Sequence, residues 1–427
     1  MTELPITPPM SAARARDIVA SFDLRALPAD FLANPFPVYA ALREHDPVRR
    51  MPDGSRFLTR HADLMAVYRD AALFSSDKHV EFAPKYGVDS PLYAHHTTSL
   101  VFNDPPLHTR VRKLIMGALT RRAIADMEPG LIALVDHLLD RIEARGGGDL
   151  IEDFAAAIPV EIIGNLLGVP HADRGPLRDW SLAILGALEP VPTPAQHAAG
   201  NRSVTEMLAY LRTLVAERRQ APGDPEHDVL TRLIQGEASG DQLSEVELLQ
   251  NCIFLLNAGH ETTTNLIGNG LILMQEFPAQ RAQLLADLRS AADEAAREQV
   301  LALAVDECLR FESSNQLGNR RALAPAQIGG VAVAAGDLVT LCIGAANRDP
   351  AVFADPETLD LRREGNKHLA FGFGIHQCAG LSLARLEGRI AIGRFLRRFP
   401  AFELSASPVR GGRARFRGFL SAPFRAG

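Results

Sequence analysis

Apolar residues recur at helical spacing along most of the chain. One clear stripe, closed by glycines 146–148, consists of Leu131, Leu134, Val135, Leu138, Leu139 and Ile142. Intervals of three and four residues predict an amphipathic helix with one buried face, and the glycines predict its end. Because this pattern covers much more of the chain than strand-like alternation does, we expect a mainly α fold with small β-sheets.

Strand patterns are few. The clearest are residues 328–333 and 338–343, which flank the turn at residues 334–337. Two apolar runs around a short glycine-containing turn predict a β-hairpin.

The longest helical pattern begins at Ser244, with Glu247 three residues later. This pair is a capping box, and the pattern continues to Phe277, so we expect a helix of about 33 residues and about 50 Å. Residues 258–264 inside it read AGHETTT. Several of these are poor helix formers, which favours a functional reason for their presence.

Composition limits the possible functions. The chain has 427 residues and a formal net charge of −6, which gives no electrostatic footprint for binding nucleic acid. Five arginines lie near the C-terminus, and such a run is typical of a solvated strand face, so we assign it no function. They are Arg410, Arg413, Arg415, Arg417 and Arg425.

The cysteines and the N-terminus predict the compartment. Four widely separated cysteines with no CxxC pair suit a reducing environment, so we expect a cytoplasmic protein. Residues 1–20 lack the apolar core of a signal peptide, and we expect a flexible segment there and no membrane anchor. The proline-rich stretches 190–194 and 221–225 are short, so we interpret them as loops within a single domain spanning residues 1–427.

A glycine-rich turn presents a cysteine ahead of a helical pattern, with the sequence FGFGIHQCAG at residues 371–380. Its glycines let the backbone approach a flat group closely. A thiolate is favoured at a helix start, so we expect Cys378 to be ionised and to bind a metal. A lone cysteine is more often a small buried apolar residue. The interpretation of Cys378 as a metal ligand therefore depends on the residues around it.

The spacing of Phe371, Gly374, His376, Cys378 and Gly380 resembles the haem-thiolate signature of the cytochrome P450 family. Further segments resemble the family in its own order, namely residues 34–48, 102–114, 258–265, 306–310 and 346–350. The resemblance covers nearly the whole chain and implies one catalytic domain with the P450 fold. Haem would lie between the long helix and the cysteine loop. Ser314 and Asn315 depart from the pattern, because a proline and an apolar residue are common there.

The resemblance implies a haem b whose iron is bound by Cys378. Ala258, Phe371, Gly372 and Gly380 would lie around the haem. A buried haem also needs partners for its two propionates. Their positions in the family imply His108, Arg112, Arg320 and His376.

His260 and Glu261 invite a comparison with the zinc motif HExxH, but position 264 is threonine, so the second ligand is missing. Thr262 could instead turn its hydroxyl toward a carbonyl one turn back and open a groove in the helix. The resemblance assigns Glu261 and Thr262 to proton delivery to bound dioxygen.

Glu307 and Arg310 lie three residues apart, where a helix can pair them. On a surface such a pair contributes little. The resemblance implies a buried pair that bonds to a loop near Asn347 and braces the cysteine turn, a structural role.

The resemblance implies a monooxygenase that inserts one oxygen atom of O2 into a C–H bond of a small, largely apolar substrate. The chain has no GxGxxG after a strand, no flavin module and no iron–sulfur cysteine set, so a separate ferredoxin and its NAD(P)H-dependent reductase would supply electrons. An acidic partner could be attracted by Arg112, Arg385 and Arg389.

A peroxide-using enzyme and a haem-thiolate sensor are alternative functions. A hydrolase using Cys378 and His376 is the weakest alternative. We expect a monomer.

By family position, the substrate pocket should draw on Phe254, Asn257, Asn315, Gly318 and Leu420. Two of these are amides where apolar residues are usual. A buried amide needs hydrogen-bond partners. The substrate therefore carries a carbonyl, hydroxyl or carboxylate that the amides bind, or else the amides bond the backbone.

Overall fold

The computed structural model describes residues 11–225, 228–236 and 243–427. In these ranges the α-helices are α1 (Ala12–Ser21), α2 (Ala29–Ala33), α3 (Phe36–His45), α4 (His61–Arg69), α5 (His79–Tyr86), α6 (Pro91–Thr98), α7 (Leu107–Ala118), α8 (Arg121–Arg145), α9 (Ala157–Leu166), α10 (Leu177–Gly186), α11 (Pro194–Gln220), α12 (Val229–Gln235), α13 (Glu245–Glu276), α14 (Pro278–Ser290), α15 (Glu294–Phe311), α16 (Ile343–Ala346) and α17 (Leu381–Arg398). Short 3₁₀ turns cover Leu100–Phe102, His171–Asp173 and Gly374–His376, and a π-helix covers Leu150–Ala155.

The strands are β1 (Val48–Arg50), β2 (Arg56–Leu58), β3 (Phe74–Ser75), β4 (Gly147–Asp149), β5 (Leu317–Ala322), β6 (Ala326–Ile328), β7 (Val331–Val333), β8 (Leu338–Cys342), β9 (Glu403–Leu404), β10 (Val409–Arg410), β11 (Phe419–Ser421) and β12 (Pro423–Arg425). The largest sheet has the order β1-β2-β8-β5-β3, and the others pair β4-β12-β9, β10-β11 and β6-β7. The prediction of a mainly α protein with small sheets is confirmed.

Helix α13 crosses the centre of the molecule. Its 32 residues begin after Ser244, whose side chain forms the predicted capping box with Glu247, and end before Phe277. The helix packs against α9, α10 and α17 and is buried over most of its length. Because neighbours surround it, it is apolar on several faces, as expected for a core helix. Helix α8 buries the predicted leucine stripe against the same core.

The predicted hairpin of residues 328–333 with 338–343 is wrong. Gly329 and Gly330 have φ of +56° and +82° and form a turn that divides the first run into β6 and β7. Strand β8 instead pairs in parallel with β2 and antiparallel with β5. The adjacent glycines were the available signal, because both adopt left-handed backbone conformations that favour tight hairpin turns.

The N-terminal segment that we expected to be flexible, residues 1–20, lies partly in α1. Ala15 and Val19 of this helix are buried in a cluster with Phe22, Phe31 and Phe57. Residues 1–10 lie outside the described part of the chain. No helix among the described residues is long and apolar enough to span a membrane.

Candidate active site

A cavity of about 340 Å³ lies between α13 and the glycine-rich turn at residues 371–380. Most of the side chains singled out in the sequence lie on its wall. They are His108, Arg112, Phe254, Asn257, Ala258, Thr262, Asn315, Gly318, Arg320, Phe371, Gly372, His376, Cys378 and Gly380. Segments that are far apart in the chain therefore meet around one space.

The cysteine turn has a backbone that requires glycine. Gly374 has φ of +74°, and a Cβ atom there would lie 2.4 Å from the carbonyl oxygen of Tyr68. The N–H of Cys378 donates to the carbonyl of Phe371 at 2.9 Å, which closes the turn. Helix α17 begins at Leu381, so the thiol is presented just before a helix and opens into the cavity.

The prediction that Cys378 is ionised by its position alone is wrong. Burial raises the pKa of the thiol, and the N–H of Gly380 and the charges of Arg112 and Arg385 oppose this rise only in part. Desolvation outweighs the helix start here, although the thiol opens into the cavity. A bound metal deprotonates a coordinating thiol outright, so the thiolate form depends on the metal.

Hydrogen-bond donors gather on one side of the cavity. The rings of His108 and His376 lie 4.2 Å apart, and both nitrogens of His108 and Nε2 of His376 are buried without a partner in the described structure. Burial, followed by the charges of Arg320 and His108, lowers the pKa of His376 to about 2. Among the described residues, the side chain of Arg320 donates only to the carbonyl of Asn319, at 2.7 Å. Crowded donors without acceptors fit the two carboxylates of a haem.

Glu307 and Arg310 form a fully buried pair joined by hydrogen bonds of 2.7 and 2.8 Å. Arg310 also donates to the carbonyl of Asn347 at 3.0 Å, and the side-chain oxygen of Asn347 accepts from the N–H of Leu369 at 2.6 Å. The carbonyl of Leu369 in turn accepts from Gly372. The pair is therefore connected to the cysteine turn through one loop.

The hydroxyl of Thr262 donates to the carbonyl of Ala258 at 2.8 Å, the bond one turn back that the sequence suggested. Ser314 donates to the carbonyl of Thr262, also at 2.8 Å. Helix α13 thus carries side-chain hydrogen bonds on its cavity face, where Thr262 lies on the wall. Such bonds commonly bend a helix or open a local groove.

Glu261 lies off the cavity wall. It is buried on another face of α13 and forms an ion pair with Arg413 at 2.5 Å. The two border a separate pocket of about 20 Å³. Burial raises the pKa of Glu261 although Arg413 opposes the change. Adjacent helix residues point about 100° apart, so Glu261 and Thr262 face different spaces.

Leu420 does not line the cavity. Its side chain is 41% exposed, because β11 turns Phe419 inward and Leu420 outward. Phe416 lies on the wall instead, and it forms a β-bridge with Asn315. The prediction of Leu420 as a pocket residue is wrong, because Phe416, four residues earlier in the chain, lines the cavity instead.

The interpretation of the C-terminal arginines as a solvated face is also wrong for three of them. Arg413 pairs with Glu261, and Arg417 is buried in an ion pair with Glu312 at 2.7 Å. Arg415 lies on the cavity wall. The three arginines lie between β10 and β11, outside the named strands, so strand periodicity does not account for their placement.

Arg385 and Arg389 contribute less positive surface than predicted. Arg385 bonds to Asp306 and Arg389 to Glu298, at 2.7 and 2.8 Å. Each pair nearly cancels its charge at a distance, so these two arginines alone do not favour an acidic partner.

The model of the Cytochrome P450 family matches residues 181–411. The chain is similar to the biotin biosynthesis cytochrome P450 of Bacillus subtilis, at 34% identity over 88% of this chain and 92% of the relative. It is 37% identical to cytochrome P450 107B1 of Saccharopolyspora erythraea over 90% of this chain and 93% of the relative. The protein belongs to the cytochrome P450 family.

A solved P450 structure shares the fold. P450BioI, in complex with an acyl carrier protein ligated to hexadec-9Z-enoic acid, superposes with a TM-score of 0.85 at 32% identity, covering 93% of this chain and 100% of P450BioI. The protein is therefore a haem-thiolate monooxygenase, an oxidoreductase that incorporates oxygen using haem b, O2 and electrons derived from NAD(P)H. The residues fit the cofactor, because the cavity offers a thiol on one side and unpaired donors for carboxylates at its edge.

Proposed function

We propose that this P450 inserts one oxygen atom of O2 into a C–H bond of a small, largely apolar molecule, with electrons from a separate ferredoxin and its reductase. The position of Thr262 carries the proposal. Its hydroxyl lies on the wall of the cavity that also contains Cys378, on the helix that forms the cavity's opposite side. When bound, the haem supplies oxygen activation, which a thiolate ligand favours by donating electron density.

In this proposal Cys378 binds the iron, and His108, Arg112, Arg320 and His376 hold the propionates. The hydroxyl oxygen of Thr262, whose proton is donated to Ala258, accepts a hydrogen bond on the oxygen-binding side, and Glu261 exchanges protons with the small pocket on the other face of α13. A carboxylate whose pKa is raised by burial is better suited to release and regain a proton near neutral pH. A peroxide-using enzyme or a sensor would not need this threonine. We also propose one catalytic domain that acts as a cytoplasmic monomer.

Substitution Thr262→Ala should uncouple the reaction. The assay uses a surrogate ferredoxin and reductase with a bound substrate. We expect NADH consumption to continue, the product formed per NADH to fall about tenfold, and peroxide to be released. The reason is that proton delivery to the oxygen-binding side is impaired without the hydroxyl. Thr264→Ala is the matched control, since Thr264 makes the same type of bond to His260 at 3.0 Å but lies off the cavity wall. Unchanged coupling would remove Thr262 from the mechanism, and turnover with peroxide that equals turnover with NADH would favour the peroxide-using alternative.

Two side-chain amides on the cavity wall, those of Asn257 and Asn315, indicate where a polar group of the substrate would bind. Asn257 is 2% exposed, and neither its oxygen nor its nitrogen has a hydrogen-bond partner in the described structure. The side-chain oxygen of Asn315 likewise has no hydrogen-bond partner among the described residues. Both residues line the cavity. A buried amide without partners costs free energy, so we infer that an oxygen function of the substrate completes these bonds.

The affinity of two variants tests this inference. Asn257→Leu and Asn315→Val should each weaken binding of an oxygen-bearing substrate by about fivefold to tenfold, since one neutral hydrogen bond contributes about 1 kcal/mol. Binding is followed by the change in the Soret band on titration. A hydrocarbon ligand of the same shape is the control, and its affinity should not fall. Unchanged affinity for both ligands would show that the amides do not bind substrate.

A further inference from the structure

The guanidinium of Arg415 lies on the cavity wall without a bonded partner in the part of the chain that the structure describes. The neighbours of Arg415 at two residues' distance, Arg413 and Arg417, are each paired with a glutamate. No hydrogen bond or ion pair engages the guanidinium of Arg415 within residues 11–225, 228–236 and 243–427. An arginine remains charged even when burial lowers its pKa, as happens here. A charge in this setting is costly until an anion joins it.

The nearest carboxylate is already occupied. Glu189 accepts the backbone N–H groups of Ala414 and Arg415 at 2.8 and 3.1 Å, and it acts on the guanidinium only through space. Lys85 donates to the carbonyl of Glu189 at 2.7 Å, and burial together with the charge of Arg415 lowers the pKa of Lys85 to about 7. Glu189 therefore gives the guanidinium of Arg415 no direct hydrogen bond.

Arg415 shares the cavity wall with the candidate propionate donors and with groups of α5 and α6. The charges that lower the pKa of His376 most are those of Arg320 and His108. The charge of Arg415 acts on His96, Lys85 and Tyr86, toward α5 and α6, and also on Arg320. Glu189, which accepts the backbone N–H of Arg415, also accepts a hydrogen bond from Lys85 of α5 at its carbonyl, so Arg415 is anchored on the side of α5.

A second polar atom lies on this side. His96 lines the cavity, is 2% exposed, and its Nε2 has no partner in the described structure. Burial lowers its pKa well below the usual value, so the ring is neutral and can donate one hydrogen bond. The wall nearby is aliphatic, with Leu100, Val101, Ile162, Ile163, Leu185 and Leu188.

We propose that the substrate of this P450 is a carboxylic acid with an apolar body, held as its carboxylate by Arg415 with a further hydrogen bond from His96. The proposal rests on the monooxygenase function above and specifies its substrate class. A guanidinium matches a carboxylate with two parallel bonds, which orients the ligand as well as binding it. The apolar body then lies along the aliphatic wall, and the carbon to be oxidised lies toward Cys378.

Matched acids and esters test the proposal on the haem-loaded protein. The probes are dodecanoic, 4-phenylbutanoic and lithocholic acids with their methyl esters, titrated while the Soret band is recorded. At least one acid should bind about tenfold or more tightly than its ester, as expected for a charge-assisted bond. In Arg415→Gln this preference should disappear while ester affinity stays unchanged, and Arg415→Lys should keep part of it.

Arg425→Gln, at an exposed arginine in the same C-terminal region, is the control and should behave as the wild type. A panel in which no acid binds more tightly than its ester, including one in which nothing binds, overturns the proposal. A preference for the acid that survives in Arg415→Gln also overturns the proposal. Loss of haem from Arg415→Gln overturns it too, because that result would assign Arg415 to the cofactor. The carbon monoxide spectrum separates this failure from a failure of the monooxygenase function, because it reports the haem thiolate without any acid present.

Discussion

Substitution Cys378→Ala should abolish the strongly red-shifted Soret band of the dithionite-reduced protein under carbon monoxide. The thiol of Cys378 opens into the cavity opposite α13, and a thiolate ligand gives this spectral signature through electron donation to iron. Turnover should fall to background in the same variant. Because the turn is built by its glycines and by backbone bonds, the alanine variant should still fold.

The control for this experiment is Cys308→Ala. Cys252, Cys308 and Cys342 are all buried in the core, at most 2% exposed, and none of them lines the cavity. The control should keep the band, even if its stability falls through the small cavity that is created. A wild-type protein without haem, or one with a band typical of histidine ligation, would contradict the assignment of Cys378.

Substitution Arg310→Leu should destabilise the protein by about 3–5 kcal/mol, because it leaves the carboxylate of Glu307 buried without its main partner. Both side chains are completely buried. Arg310 also holds the carbonyls of Asn347, Pro356 and Thr358, which would lose their donor. Thermal unfolding and the haem content of purified protein measure the effect, and we expect haem to be lost along with stability.

Arg310→Lys keeps the charge but not the paired geometry, so it should be intermediate and remains measurable if the leucine variant fails to fold. The matched control is Arg297→Leu, which breaks an ion pair of the same spacing with Glu294 at the surface of α15. Its cost should be below about 1 kcal/mol. Equal effects at the two sites would show that Arg310 does not brace the cysteine turn.

Local signals in the chain predicted the elements that hold the site. The capping box at Ser244 placed the start of α13, and the glycines around Cys378 predicted a turn that admits a close neighbour. These predictions succeeded because a cap or a left-handed turn depends on residues only a few positions apart. The helical content followed in the same way from apolar spacing.

Long-range pairing was not predictable in this way. The pattern of β8 suggested a hairpin with its predecessor, yet its partners β2 and β5 come from other parts of the chain. An apolar strand can pair with any complementary edge, so packing decides the choice. The placement of Phe416 rather than Leu420 at the cavity depends in the same way on which residue meets Asn315.

Short spacings in the chain were enough to predict the fold class, the family and the cysteine that we propose as the iron ligand. Which charges are paired depended on the packing of distant segments. The packing joins Arg413 to Glu261 and Arg417 to Glu312, and among the described residues it leaves the guanidinium of Arg415 on the cavity wall without a bonded partner. The physical reason is that the free energy of a buried charge depends on groups brought together from distant segments, which no local pattern specifies.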